Sequence, residues 1–286
     1  MIVNNEKILV EVEQSLVEVK DWMSDAALME MFTRDFSFRF CWSSNAIEGN
    51  TLSLDETVAL IEYDEVRAGK PYSHYQEAKS LYRAISESML PFHHQPITEE
   101  WIKKNNGIIM GMPGEYRTVP VYIGSLVEET YRPPEAEKVP GLMENYLQTV
   151  NFTSADIPEI IETVAKGHLD FERIHPFRDG NGRVGRMILN QQLINHGLLP
   201  VAIGPKGDYR RSFVQYDKKG DMSRLIHEIC KAEMESIQRV QELGRKAKQP
   251  FRLNPPLDQQ IAEAQKKTGN RPQSSQSNKK RSEHGE

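Results

Sequence analysis

The chain has 286 residues, 36 Lys or Arg against 41 Asp or Glu, a formal net charge of −5, and 38% hydrophobic residues. It is long enough to bury a sizeable core, and its composition excludes collagen-like, coiled-coil and wholly disordered classes. The acidic balance argues against a general nucleic-acid-binding surface. Two cysteines, Cys41 and Cys230, cannot build a disulfide framework and read as reduced thiols of a cytoplasmic protein. No signal peptide is expected at the N-terminus, and no apolar run nears the ~18 residues that span a bilayer, so no membrane partner is expected.

In chain order the pattern is mostly helical. Residues 7–33 place Ile8, Leu9, Val12, Leu16, Val19, Trp22 and Met23 at three- and four-residue spacing, and a second helix is expected from Asp35 to Ala46. Ser53-Leu-Asp-Glu56 fits a capping box opening a helix to about Arg67. Helices follow over 73–89 and from Thr98 to near Gly111. Residues 111–124 bracket β-prone Tyr116, Val119, Val121, Tyr122 and Ile123 with Gly and Pro, which predicts a short β-hairpin. Further helices are expected at about 135–150, from the cap-like Asp156-Ile-Pro-Glu159 to Ile174, from the loop 175–180 to Gly197, near 208–217 and over 221–247. From Lys266 to Glu286 none of the 21 residues is hydrophobic, and that tail is expected to be disordered. The tail carries a net +4, which leaves −9 on the body. The fold class expected is therefore all-α with one short β-hairpin. Its regions are an N-terminal helical region (1–95), a core (96–220), a C-terminal helical region (221–265) and the tail (266–286).

The stretch His175-Pro-Phe-Arg-Asp-Gly-Asn-Gly-Arg-Val-Gly-Arg186 carries chemistry. Gly180, Asn181 and Gly182 can aim successive N–H groups into one concavity just where a helix starts, so its positive end points at the same place. Arg183 and Arg186, three apart, share a face of the first turn. Together these parts make an anion site fit for a polyphosphate. Asp179 offers one hard oxygen to Mg²⁺, and His175 suits a general base. That set matches the needs of phosphoryl-type transfer. Elsewhere, His168 on an apolar stripe reads as a packed core histidine. The pair His93-His94 lacks partners for zinc, and Tyr209, Phe213 and Tyr216 read as core packing.

HPFRDGNGRVGR resembles the signature of the Fic family, HPFx[D/E]GNGRxxR, with every fixed position filled. The resemblance implies a mainly helical Fic fold and transfer of AMP from ATP to a Tyr, Thr or Ser hydroxyl of a protein. It implies His175 as base, Asp179 on Mg²⁺, Asn181 with the Gly180 and Gly182 backbone on the α- and β-phosphates, Arg183 on phosphates and Arg186 on the γ-phosphate. Phe177 would be a buried anchor of the loop. Two further segments are similar to family patterns. Gly114-Glu-Tyr-Arg117 and Val121-Tyr-Ile-Gly124 resemble the β-hairpin flap, which makes Tyr116, Arg117, Val121, Tyr122 and Ile123 the expected docking edge for a target protein. Ser44-Asn-Ala-Ile-Glu-Gly49 matches the inhibitory motif [S/T]xxxE[G/N], which implies that Ser44, Glu48 and Gly49 belong to a built-in inhibitor that pairs with Arg186.

The expected function is a protein adenylyltransferase using ATP and Mg²⁺, autoinhibited by Glu48, with ATP and a protein substrate as partners and no nucleic acid. One alternative is removal of AMP with the same residues, Glu48 positioning a water. Another is a non-catalytic nucleotide-binding regulatory protein, against which the intact His175 argues. The helices at 7–33 and 221–247 read equally as homo-oligomer surfaces or as core.

Overall fold

The computed structural model describes residues 2–124, 129–205 and 207–248. Among these the chain forms ten α-helices and one two-stranded sheet. The first helix, α1 (Glu6–Met23), buries Leu9, Val12, Leu16 and Val19, the stripe read from the sequence. The expected single helix over 7–33 is broken, however. Asp25 accepts hydrogen bonds from the N–H groups of Ala27 and Leu28 at 3.0 and 3.1 Å and starts a new helix, α2 (Ala26–Ile47). The apolar spacing runs across the break, so periodicity alone hides it.

The boundary expected before Asp35 is also absent, because α2 continues through it. Asp35 does not cap. Its carboxylate bonds Arg39 one turn on and Arg239 of the last helix instead. Phe32, Phe36 and Phe40 stack along the buried side of α2 with ring centroids 6.4 and 5.4 Å apart. Each such pair adds about 0.5–1.5 kcal/mol beyond its area burial.

Ser53 and Glu56 form the expected capping box of α3 (Leu54–Tyr63). That helix stops four residues short of Arg67, at Asp64 in a left-handed conformation (φ 55°). Then come α4 (Tyr72–Ser88) and α5 (Glu99–Met110), the latter capped by Thr98. A hairpin is present, but not across 111–124. Its paired residues are Ile123–Gly124 (β1) and Glu129–Tyr131 (β2), antiparallel. The stretch 112–122 cannot ladder: Pro113 and Pro120 donate nothing, and the Arg117 N–H goes to the Pro176 carbonyl at 2.9 Å. A 3-10 turn (Ala136–Lys138) leads into α6 (Val139–Val150). In α7 (Ile157–Ile174) the Asp156 side chain makes no capping bond; Ser154 instead accepts from the Asp156 N–H and donates to Glu159.

The centre of the fold is α8 (Asn181–Asn195), packed on α7, α5 and α2. Its sequence, NGRVGRMILNQQLIN, is half polar, yet twelve of its residues are buried. A helix buried on all sides must satisfy its polar groups internally. Here Asn190 donates to the Arg186 and Val201 carbonyls and accepts from the Val201 N–H. Gln191 bonds His93 O and Gln95, and Gln192 bonds Val150 O. The central helix thus pins the loops around it. Asn190 and Leu193 lie inside this core.

The last two helices are α9 (Asp208–Lys219) and α10 (Ser223–Lys248). The described residues up to Ala247 cluster as one compact unit. The tail expected to be disordered, 266–286, lies outside the described residues. No helix among the described residues is long and apolar enough to cross a membrane.

Candidate functional site

The loop 175–180 joins the C-terminus of α7 to the N-terminus of α8, the two helices packed most closely on each other. His175 is the last residue of this α7 turn and holds φ 49°, a left-handed conformation that a side chain adopts only when its surroundings impose it. Here its N–H bonds Phe171 O at 2.9 Å, and its carbonyl accepts from Arg117 Nε at 2.8 Å. His175 Nδ1 lies 3.3 Å from the Glu172 carbonyl. A carbonyl only accepts, so Nδ1 carries the proton and Nε2 keeps a free lone pair. Burial pushes the imidazole pKa down to about 4, outweighing the bond that Nδ1–H donates to Glu172 O, so the ring is a neutral base at pH 7.

Phe177 is buried and faces the Tyr116 ring at 5.7 Å. Asn181 spends its side chain within the loop, accepting from Phe177 N–H at 2.9 Å and donating to Phe177 O at 2.8 Å. What it leaves for an anion is its backbone at the helix start. Gly180 caps α8 with φ 81°, and Asn106 of α5 holds the Asp179 carbonyl at 2.9 Å. The Asp179 side chain is 68% exposed and accepts from the Gly180 N–H at 2.5 Å. No group of three or more His, Cys, Asp or Glu fit for a metal exists among the described residues. The exposed Asp179 carboxylate is a hard oxygen donor suited to an ion that completes its shell with water and phosphate oxygens. Arg183 is buried, 3.5 Å from Asp179, with its Nε lacking a partner.

Arg186 is held by four hydrogen bonds to three residues. Its Nε donates to Ser44 Oγ at 2.8 Å, and Nη2 donates to Ser44 O at 3.0 Å and Glu48 Oε1 at 2.6 Å. Its Nη1 donates to Tyr209 Oη at 3.3 Å. The sequence pairing of the Ser44–Gly49 motif with Arg186 is thus a contact between α2 and α8. Gly49 (φ 98°) follows and ends the helix. Burial alone would raise the Glu48 pKa, but Arg186, aided by Arg183 and Arg210, holds it below the usual carboxylate range. The carboxylate sits directly on the first turn of α8: a Cβ on Gly182 would fall 2.3 Å from Glu48 Oε1. An anion therefore already occupies the positive end of the central helix.

Periodicity did not reveal what lies under Arg186. His168, read as a core histidine, is fully buried, with Nδ1 3.1 Å from Gly185 O and Nε2 2.7 Å from Tyr209 Oη. Nδ1–H must donate to the carbonyl, so Nε2 accepts from the tyrosine O–H and the tyrosine oxygen is left to accept from Arg186. Burial drives the His168 pKa down to about 3, so this polarity holds at neutral pH.

Glu48, Glu172, His175, Arg186, Tyr209 and Phe213 line one cavity of about 610 Å³, with Ile123 of β1 at its edge. Burial raises the Glu172 carboxyl to about 7, although Arg186 opposes it, and its Oε1 has no partner. Of the other flap residues, Tyr122 is exposed and Val121 half-buried, but Arg117 points inward. Its guanidinium bonds the carbonyls of Ile174, His175 and Pro134, tying the flap root to the His175 loop.

Fold and loop together define a helical protein whose central helix presents an anion site beside a neutral histidine. The sequence model of the Fic/DOC family matches residues 96–193. It is 29% identical over 227 residues to the protein adenylyltransferase fic-1 of Caenorhabditis briggsae, covering 76% of this chain and 44% of that one. It is 29% identical over 243 residues to its Caenorhabditis elegans counterpart, covering 82% and 46%. The chain thus spans less than half the length of these curated relatives. Among solved structures it superposes on Fic-1 from C. elegans with a TM-score of 0.71 at 26% identity, covering 85% of this chain and 73% of that one. A Fic domain containing signaling protein from Bacteroides thetaiotaomicron shares the fold at a TM-score of 0.71 and 21% identity, covering 82% and 96%.

Proposed function

We propose that this chain is a protein adenylyltransferase that moves AMP from ATP to a hydroxyl of a target protein and is held in check by Glu48. The observation that carries the reading is the neutral His175, with Nε2 free, beside the anion-binding start of α8 and Arg186. The names of the relatives support the same activity. In the step proposed, His175 Nε2 takes the proton of the target hydroxyl and the oxygen attacks the α-phosphorus. The bond from that phosphorus to the bridging oxygen breaks, and pyrophosphate leaves with the electron pair. The backbone N–H groups of Asn181 and Gly182 at the start of α8 and the cations Arg183 and Arg186 hold the phosphates, with Gly180 shaping the turn that presents them. Asp179 is the residue that would hold Mg²⁺, which when bound offsets phosphate charge. A target segment would lie along the flap beside Tyr122 and Ile123. Cys41 and Cys230, both buried and unpaired, fit a reducing compartment such as the cytoplasm.

In this reading Glu48 takes the γ-phosphate's place on Arg186, so ATP is turned from the in-line position. With labelled ATP, Glu48→Gly raises AMP incorporation over wild type and His175→Ala in that background abolishes it. No incorporation by any variant refutes transfer, and incorporation without gain in Glu48→Gly refutes inhibition. A second direction, release of AMP from a modified protein, draws support from Glu48 lining the same cavity as His175. It requires AMP release by wild type that disappears in Glu48→Gly.

A further inference from the structure

Glu48 stands at the C-terminal end of α2, where the last carbonyls lack intrahelical partners. Two of them are capped by arginines from elsewhere in the fold. Ser44 O accepts from Arg186, and Ile47 O, one peptide before Glu48, accepts from Arg210 Nη2 of α9. A cation at a helix C-terminus also meets the negative end of the dipole. On the other side of Glu48, Asn50 ties the chain to α4 through His74 O and Glu77 at 2.9 and 2.8 Å. Glu48 is therefore slung between two anchors, Arg210 before it and Asn50 after it. The neighbouring Arg211 pairs with Asp208 at 3.0 Å within α9, so Arg210 alone of this pair reaches α2.

We propose that Arg210 is a positioning residue for Glu48: by holding the Ile47 carbonyl it fixes the end of α2 and keeps the Glu48 carboxylate seated over Gly182. This rests on reading Glu48 as the inhibitory group. Arg210 also lines the cavity that Glu48 and Tyr209 line.

The test uses the full chain and four variants: Arg210→Ala, Arg210→Lys, Glu48→Gly, and Arg210→Ala with Glu48→Gly. Arg210→Ala is expected to raise AMP incorporation about 3- to 10-fold over wild type, the range for losing one hydrogen bond of ordinary net strength. It should give no further gain on Glu48→Gly, where nothing remains to position. Arg210→Lys, which can still donate to a carbonyl, should recover most of the wild-type restraint. The amides of Glu48, Gly49 and Asn50, bonded to Asn45 and Ala46 carbonyls, should exchange with deuterium faster in Arg210→Ala than in wild type. Equal loss of incorporation in both backgrounds, or wild-type incorporation together with wild-type exchange, overturns the proposal. If Glu48→Gly itself gains nothing, the functional reading falls. Amide exchange then decides the positioning role alone, faster exchange supporting it and unchanged exchange overturning it.

Discussion

Glu172 in the last turn of α7 and His175, which ends it, lie three residues apart, and burial moves them in opposite directions, to about 7 and about 4. Each is pushed toward its uncharged form, as desolvation requires. For the transfer proposed above, the consequence at His175 is kinetic. A histidine at 6.5 would be roughly three-quarters protonated at pH 6, with only about a quarter left as free base, whereas one near 4 remains neutral there. The kcat/KM profile of Glu48→Gly, which reports the free enzyme, should stay level from pH 8 down to about 5 and fall only below that. An acid limb centred at 6.5 would contradict the burial that the structure gives this ring. The residues from His175 to Arg186 were legible in the sequence because the loop and the first helical turn bring neighbours in the chain together. Tyr209 was not, since it reaches Arg186 across 23 residues and His168 across 41. An aromatic on a helical stripe carries no sign that its hydroxyl is the useful end.

Among the elements, the helices of the core followed their apolar spacing, and the misreadings fall where polar side chains decide. The continuous stripe over 7–33 conceals the break at Ser24–Asp25, because the hydrophobic period continues while the backbone restarts. Asp35 resembles a cap in sequence but answers to Arg239, 204 residues away. The hairpin slid toward β2 because Arg117 spends its backbone N–H on Pro176, a contact no local pattern encodes. The α1–α2 break makes a prediction of its own. Asp25 satisfies two of the otherwise unpaired N–H groups of α2, and removing such a cap costs about 1 kcal/mol. Asp25→Ala should lower Tm by about 2–4 °C, the scale for a unit of this size, as measured by calorimetry. Asp25→Asn, which keeps the acceptor, should lose less. An unchanged Tm in Asp25→Ala would mean that packing alone holds the restart.

The whole molecule encloses several titratable groups away from water, and their shifts set how stability follows pH. His168 and His175 have folded pKa values of about 3 and 4 against 6.5, so the unfolded chain binds more protons and stability falls as pH drops below 6.5. Glu172 and Glu233 have folded values of about 7 and 8 against 4.5, so the native state binds more protons and stability falls as pH rises from 4.5 toward 8. Between 4.5 and 6.5 the two pairs oppose each other. Above 6.5 the unfolded histidines lose their remaining protons by about pH 7.5, and the carboxyls dominate, joined near pH 8.5 by the buried Cys41 and Cys230, whose thiols are raised to about 12. Tm should therefore decline from pH 6.5 to about 8.5. Glu233 allows that decline to be assigned. It lies on α10, fully buried, with Oε1 accepting from the Leu199 N–H at 2.9 Å and Oε2 without a partner. Glu233→Gln keeps the acceptor for Leu199 and removes the charge that forms as pH rises. The variant should match wild type near pH 5, where the native Glu233 is protonated, and exceed it increasingly up to pH 8.5. Equal slopes of Tm against pH in the two proteins would place the titration elsewhere.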